Sequence, residues 1–453
     1  MTQTKPTVTS SLTGKWKPYP AYKDSGVEWL GEVPVHWEVK RLKYIAPAST
    51  AKLIEKPDDL PYLGLENIES KTGRLLLDTP VENVESTVGI FDKGNVLFGK
   101  LRPYLAKVVC VDFRGVCTTE LLVLQPNDVV NGKFLFYRLL SEDFVKLVNS
   151  LTYGTKMPRV SSEQIGNLAV QLPPFPEQNA IITYLDRETA RISALIAKKE
   201  RLVELLQEKR AALISHAVTK GLDPTVPMKD SGVEWLGEIP EHWKVKRLKF
   251  VAKLESGHTP NRSIAEYWEN CTIPWVTLND VGYLKDHEYI FETTNYINSL
   301  GIANSSARSL PAGTVILSRD ATVGRCGILG RPMATSQHFV DWICHEELSP
   351  KYLLLVFRGP MQQEFERLTM GATIRTIGMP DVNGFCVPIP PITEQEQIVL
   401  HIDSETTKID TLISRIRECI EKLKEYSAAL ISAAVTGKID VREEIPSPGD
   451  RDL

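Results

Sequence analysis

The seven cysteines of this 453-residue chain (Cys110, Cys117, Cys271, Cys326, Cys344, Cys386 and Cys419) form no Cys-x-x-Cys pair and are odd in number. That speaks against a disulfide framework and a zinc knuckle, and for reduced thiols in a cytosolic protein. No apolar run approaches the ~18–20 residues of a membrane span. Met1 to Gly14 is polar and rich in Thr and Ser, without the apolar stretch of a secretory signal. Strong net charge is missing too: 53 Lys+Arg against 57 Asp+Glu leave −4. Binding to a polyanion must therefore be local. Disorder over most of the chain is excluded, because 42% of the residues are hydrophobic and only 24% charged. At ~150 residues per domain the length suggests about three units.

Catalytic and cofactor signatures are incomplete wherever they begin. Leu172-Pro173-Pro174-Phe175 resembles the Asn-Pro-Pro-Phe of amino-methyltransferases, but Leu172 has no amide to hold a target amino group. The second copy, Ile389-Pro390-Pro391-Ile392, also lacks the aromatic. Both read as turns into a helix. Gly89 to Asn95 has the glycine spacing of a phosphate loop, with Asn95 where Lys is required. Pro57-Asp58 with Glu69 and Lys71 imitates the two acids and a lysine of metal-dependent nucleases. It is the single candidate for a self-contained Mg-dependent DNA nuclease, and the second half has no counterpart. His36 and His242 sit in a repeated Pro-x-His-Trp without ligand spacing. They read as packing or hydrogen-bonding residues, not metal ligands.

What is present is a duplication. Lys23 to Ala46 and Lys229 to Ala252 are identical at 19 of 24 positions. Gly154 to Asp223 aligns without gaps on Gly371 to Asp440, with LPPFPEQ against IPPITEQ and AALISHAVT against AALISAAVT. Between these blocks, residues 47–152 and 253–369 share only fragments, among them Cys117-Thr118-Thr119-Glu120 against Ala334-Thr335-Ser336-Gln337. The organisation is frame, variable insert, frame, twice over. It suggests one scaffold carrying two different recognition surfaces.

The inserts predict compact α/β units. Strands are expected at 95–98, 108–111, 121–124, 314–317 and 339–343, and helices at Phe134 to Val148 and Pro350 to Leu368. The frame's tail predicts a long helix in each half. Glu177 to about His216 and Glu394 to about Ala433 contain no Pro or Gly, and Gly221 and Gly437 follow as stop signals. A helix of ~40 residues must find a partner. A 3-4 seam can be written through Ile192, Leu195, Lys199, Leu202, Leu206, Lys209 and Leu213. Its counterpart is Ile409, Leu412, Ile416, Cys419, Leu423, Tyr426 and Leu430. Antiparallel pairing would relate the halves by a pseudo-two-fold axis. The remaining equipment is for binding. Each half carries a basic segment (Lys40, Arg41, Lys43; Lys246, Arg247, Lys249) and cations on turns. In the first half these are Lys100, Arg102 beside Tyr104, Lys156 and Arg159; in the second, Arg319, Arg325 and Arg375 beside Thr373. Such residues suit phosphate and base-edge contacts.

This order of duplicated frames, each ending in Pro-Pro-x-x-Glu-Gln and a long helix, resembles the specificity subunit of type I restriction-modification systems. Leu63 to Ile68, Phe98 to Leu105 and Thr118-Thr119-Glu120 are similar to segments of its first target recognition domain. Ser256 to Pro260, Ile273 to Asp280, Pro311 to Thr314 and Met333 to Gln337 (which includes Ser336) resemble another version of that domain. His258 stands where a small residue is more usual. The resemblance implies a polar tail at 1–15, recognition domains at 16–176 and 222–393, central helices at 177–221 and 394–438 paired as an antiparallel coiled coil, and a tail at 439–453. It implies a non-catalytic chain in which each α/β domain reads one half of a bipartite, asymmetric double-stranded DNA target. The helices would set the half-site spacing and dock two methyltransferase subunits. S-adenosylmethionine would be held by those partners, and ATP and Mg by restriction subunits. A coiled-coil scaffold without DNA binding is the remaining alternative.

Overall fold

The computed structural model describes residues 16–54, 57, 59–76, 87–369 and 375–444. The chain divides into two compact units. One takes in residues up to Glu200 together with those from Arg417 onward; the other is Arg201–Ile416. The boundary therefore falls inside both long helices, Phe175–Lys220 and Ile392–Val435.

In the first unit, strands Leu121–Leu124, Val96–Gly99 and Val108–Cys110 form an antiparallel sheet with Val96–Gly99 in the middle. A four-stranded sheet (Lys52–Leu53, Val88–Phe91, Gly115–Thr118, Tyr62–Leu63) lies in the same unit. The Gly-rich stretch at 89–95 is the end of strand Val88–Phe91 followed by a tight turn at 92–95. Asn95 donates its backbone N–H to the Asp92 carbonyl and accepts the Asp92 N–H on Oδ1. The repeated frame supplies a ribbon, Glu38–Arg41 against Ala169–Leu172. In the second unit a five-stranded sheet has the order 252–256, 339–344, 315–318, 326–329, 289–290. Its frame ribbon is Lys244–Arg247 against Cys386–Ile389.

The expected strands form, but each expected insert helix is two. Phe134 to Val148 breaks at Ser141, whose backbone turns extended (ψ 147°). Its hydroxyl accepts from the buried Arg138 guanidinium and donates back to the Arg138 carbonyl. This local bonding competes with the helical ladder. Pro350 to Leu368 breaks at Gly359-Pro360, where proline cannot donate.

Each unit's main core joins sheet, insert helices and segments of both long helices. In the first, Trp37, Phe98, Phe134 and Phe144 pack in one cluster with Ile181 and Leu185 of the first long helix and Leu430 and Val435 of the second. In the other, Trp243, Trp342, Tyr352 and Phe357 cluster with Ile214 and Val218 of the first helix and Ile398 and Ile402 of the second. The helix stops act as expected. Gly221 (φ +76°) sits against Trp243 and Gly437 (φ +73°) against Trp37 and Pro34, a left-handed conformation that favours glycine.

The buried stripes of the long helices depart from the seam written above. On the first helix the protected positions step 4-3-4-3 through Ile192, Ile196, Lys199, Val203, Leu206, Arg210, Leu213 and Ala217. On the second they run through Ile402, Thr406, Ile409, Ile413, Ile416, Ile420, Leu423 and Leu430. Ile192, Leu206, Leu213, Ile409, Ile416, Leu423 and Leu430 lie on these stripes, whereas Leu195, Leu202 and Leu412 are 42%, 44% and 45% exposed. Tyr426 is half-buried against the first unit's core. A helix with apolar residues at both i+3 and i+4 has two possible seams. Here the buried stripe takes i+4 from Ile192 and Ile409.

Candidate nucleic-acid interface

The frame motifs form a clamp at the start of each long helix. Glu177 accepts hydrogen bonds from Trp37 Nε1 (3.0 Å) and Tyr19 Oη (2.5 Å), and its other oxygen lies 2.7 Å from His36 Nε2. Glu394 likewise accepts from Trp243 Nε1 (3.1 Å) and lies 2.8 Å from His242 Nε2. The adjacent glutamine is buried in both copies. Gln178 donates to the Val129 and Pro173 carbonyls and accepts from Asn131 N–H. Gln395 donates to the Glu347 and Pro390 carbonyls and accepts from Ser349 N–H. Pro-Pro-x-x-Glu-Gln and Pro-x-His-Trp, read apart in the sequence, are thus one device. It ties the helix start to the frame and to the turn before the insert helices.

In the first unit two insert loops and the start of the second frame block meet at the end of the central strand Val96–Gly99. Lys100 donates its backbone N–H to the Glu120 carbonyl, Val160 N–H returns to the Lys100 carbonyl, and Arg102 N–H reaches the Pro158 carbonyl. Lys100, Arg102, Thr118, Thr119, Glu120 and Arg159 are thereby gathered. Arg159 and Glu120 pair at 2.9 Å. Burial and the nearby Arg159 push the Lys100 ammonium below its ordinary range, with Glu120 pulling the other way. Arg102 takes a left-handed conformation (φ 49°) and is exposed, as is Tyr104 in the short turn that follows. Lys156 is exposed on a loop closed by reciprocal Tyr153–Arg159 backbone bonds of 3.0 Å.

The second unit repeats this knot. Arg319 N–H donates to the His338 carbonyl, Ile377 N–H to the Arg319 carbonyl, and Ala321 N–H to the Arg375 carbonyl. Ala321 is left-handed like Arg102 (φ 58°). A fourth bond matches as well: Gly99 N–H to the Lys107 carbonyl, and Ser318 N–H to the Arg325 carbonyl. Four backbone hydrogen bonds are therefore shared while the side chains differ. Lys100, Arg102, Lys107, Glu120 and Arg159 of one unit stand where the other has Arg319, Ala321, Arg325, His338 and Thr376. Arg319 also donates to the Ile377 carbonyl, Ser336 is buried, and Gln337 and Arg375 are exposed. Thr373 lies outside the described residues.

This register corrects the sequence alignment of the two inserts by one residue. Leu121 pairs with Gly99 as Phe339 pairs with Ser318, and Cys117 pairs with Leu63 as Thr335 pairs with Val276. Thr119 therefore corresponds to Gln337, and Glu120 to His338, not to Gln337. His338 was missed for that reason, and Lys107, Asp320 and Thr376 because their partners lie far along the chain. His338 contacts Asp320 (3.2 Å), which also accepts from Thr376 Oγ1. Lys107 Nζ is tied to the Leu65 and Ile68 carbonyls. Of the nuclease-like residues, Asp58 lies outside the described residues. Glu69 is engaged by Thr72 and Arg74, and Lys71 has a left-handed backbone.

Residues 34–205 and 240–422 match the family model described as the type I restriction modification DNA specificity domain. The type I restriction enzyme MjaVIII specificity subunit of Methanocaldococcus jannaschii is 26% identical over 431 residues, covering 90% of this chain and 94% of that protein. The EcoR124I/EcoR124II specificity subunit of Escherichia coli is 26% identical over 275 residues, 57% of this chain and 59% of that protein. Two solved structures share the fold. One is a chain from a type I R-M system (TM-score 0.67, 20% identity, 89% of this chain and 98% of that one). The other is the HsdS subunit from Thermoanaerobacter tengcongensis (TM-score 0.54, 21% identity, 90% and 98%).

Proposed function

The chain belongs to the type I restriction-modification DNA specificity family, and we propose that each of its two units reads one half of a bipartite, asymmetric DNA target. The observation that carries this reading is the shared knot of four backbone hydrogen bonds bearing unlike side chains. A common backbone places two loop clusters in the same geometry on a duplex, while Lys100, Arg102, Glu120 and Arg159 against Arg319, Ala321, His338 and Thr376 present different donors and acceptors. The exposed cations of each cluster supply the local positive charge that a chain of net charge −4 does not supply globally.

The long helices serve as the spacer in this reading. Within the first unit the beginning of one helix shares a core with the end of the other, and the second unit has the converse arrangement. Arg210 pairs with Asp410 at 3.1 Å in the second unit. These contacts support an antiparallel coiled coil. Its length, 46 and 44 residues at ~1.5 Å each, sets the half-site separation. Its exposed leucines offer docking positions for two methyltransferase subunits. Family membership supports the rest of the assembly: this chain is the recognition component, and the chemistry of S-adenosylmethionine, ATP and Mg belongs to methyltransferase and restriction partners in the cytoplasm. Binding-site selection on randomised duplexes, with the full-length chain and its associated subunits, tests the proposal. Two unlike half-sites at a fixed spacing are expected. A palindrome, a single contiguous site or no enriched sequence would refute it.

A further inference from the structure

We propose that Gln337 identifies an adenine in the half-site read by the second unit, and that His338 positions its side-chain amide to do so. The inference rests on the DNA-reading function proposed above and names a specificity-determining residue within it.

Gln337 is an exposed side chain on a fixed backbone. Its neighbours Ser336 and Phe339 are buried. Ser336 N–H donates to the Val276 carbonyl and Phe339 N–H to the Ser336 carbonyl. The amide itself is held from two sides: Thr259 Oγ1 donates to Gln337 Oε1, and Gln337 Nε2 lies 3.3 Å from His338 Nε2. Which way round the amide sits follows from the rest of the chain of contacts. His338 Nδ1 faces an Asp320 carboxylate oxygen at 3.2 Å. A carboxylate only accepts, so Nδ1 carries the hydrogen, and in the neutral ring Nε2 is an acceptor. An acceptor at Nε2 selects the NH₂ side of the amide and turns the carbonyl to Thr259. Asp320 is secured in turn by Thr376 Oγ1, which donates to its other oxygen.

A primary amide has two N–H donors and two carbonyl lone pairs. His338 takes one donor and Thr259 one lone pair. One donor and one acceptor remain on adjacent atoms of an exposed side chain. In the major groove adenine offers an acceptor at N7 beside a donor at N6, which is the complement of that pair. Guanine offers two acceptors there and would set O6 against the amide carbonyl. Cytosine offers a donor alone, and thymine an acceptor beside a methyl group. The amide orientation imposed by His338 is therefore a base choice. The equivalent position in the first unit is Thr119, followed by a glutamate held by Arg159, so this device belongs to one half-site.

Binding-site selection on the full-length chain with its associated subunits, repeated for Gln337→Ala, Gln337→Glu and His338→Ala, provides the test. The parent chain is expected to return an adenine that Q337A no longer selects, with a loss of roughly tenfold or more on the parental duplex. The other positions should be unchanged. Q337E should prefer cytosine, whose N4 donates to a carboxylate. H338A should weaken the preference at that position more than it lowers affinity, which a merely structural role would not do. A parental motif that survives intact in Q337A, or an even loss across all sequences, overturns this inference and leaves the DNA-reading function standing. A parent chain that enriches no sequence refutes that function and this inference with it.

Discussion

The paired clamps allow one perturbation to be made twice in a single chain, once in each unit. Glu177→Ala removes the acceptor of Trp37 Nε1 and Tyr19 Oη, and both of those residues are buried. Each unsatisfied buried donor costs about 1–3 kcal/mol, so the first unit should lose about 4 kcal/mol. Glu394→Ala strands only Trp243 Nε1 among buried groups, because His242 is exposed to water, and should cost about 2 kcal/mol. Deleting a carboxylate also relieves its desolvation. That relief is greater for Glu177, whose side chain is 6% exposed against 24% for Glu394, so about 2 kcal/mol is the upper end of the difference. At that upper end the difference is a factor of about 30 in a local opening equilibrium. Hydrogen exchange read by mass spectrometry reports each site separately, through amides around Ile181–Leu185 in one unit and Ile398–Ile402 in the other. Glu177→Gln keeps an acceptor oxygen and should recover part of the loss. Equal protection losses in the two alanine variants, or a larger loss for Glu394→Ala, would refute the argument that the tyrosine contact makes the clamps unequal.

Three further outcomes are expected. Ile413→Ala should cost the second unit about 2–4 kcal/mol and Leu412→Ala less than about 0.5 kcal/mol, as measured by hydrogen exchange; the reverse order would restore the 3-4 seam. Burial pushes the Asp341 carboxyl up to about 8, with the Thr335 hydroxyl pulling it down and Glu255 pushing it further up. The folded unit therefore holds a proton that the unfolded chain releases near pH 4, and this stability is lost as pH rises from about 4 through about 8. Urea unfolding across that range should show the decline, and Asp341→Asn should flatten it. Replacing left-handed Arg102 or Ala321 by glycine should stabilise each unit by about 1 kcal/mol. Only Arg102→Gly should weaken DNA binding and lower the salt slope by about one, and titrations at several salt concentrations would decide it.

What the sequence by itself determined is what local pattern encodes. The frame duplication, the helices of Phe175–Lys220 and Ile392–Val435, their glycine stops and the strands around Val96–Gly99 and Val315–Ser318 could be read from identity, composition and period, because each depends on residues a few positions apart. The sequence also marked Lys100, Arg159, Arg319 and Gln337, since their types suit nucleic acid. The tertiary structure alone decided which of two adjacent leucine or isoleucine positions turns inward, because that depends on what packs against the helix and not on the helix itself. It alone brought Glu177 to Trp37 and Tyr19 across some 140 to 158 positions. It also set His338 between Gln337 and an Asp320 secured by Thr376. The strand pairings that make His338 the counterpart of Glu120 rest on hydrogen bonds between distant segments, and no local pattern carries a register that only the partner strand defines.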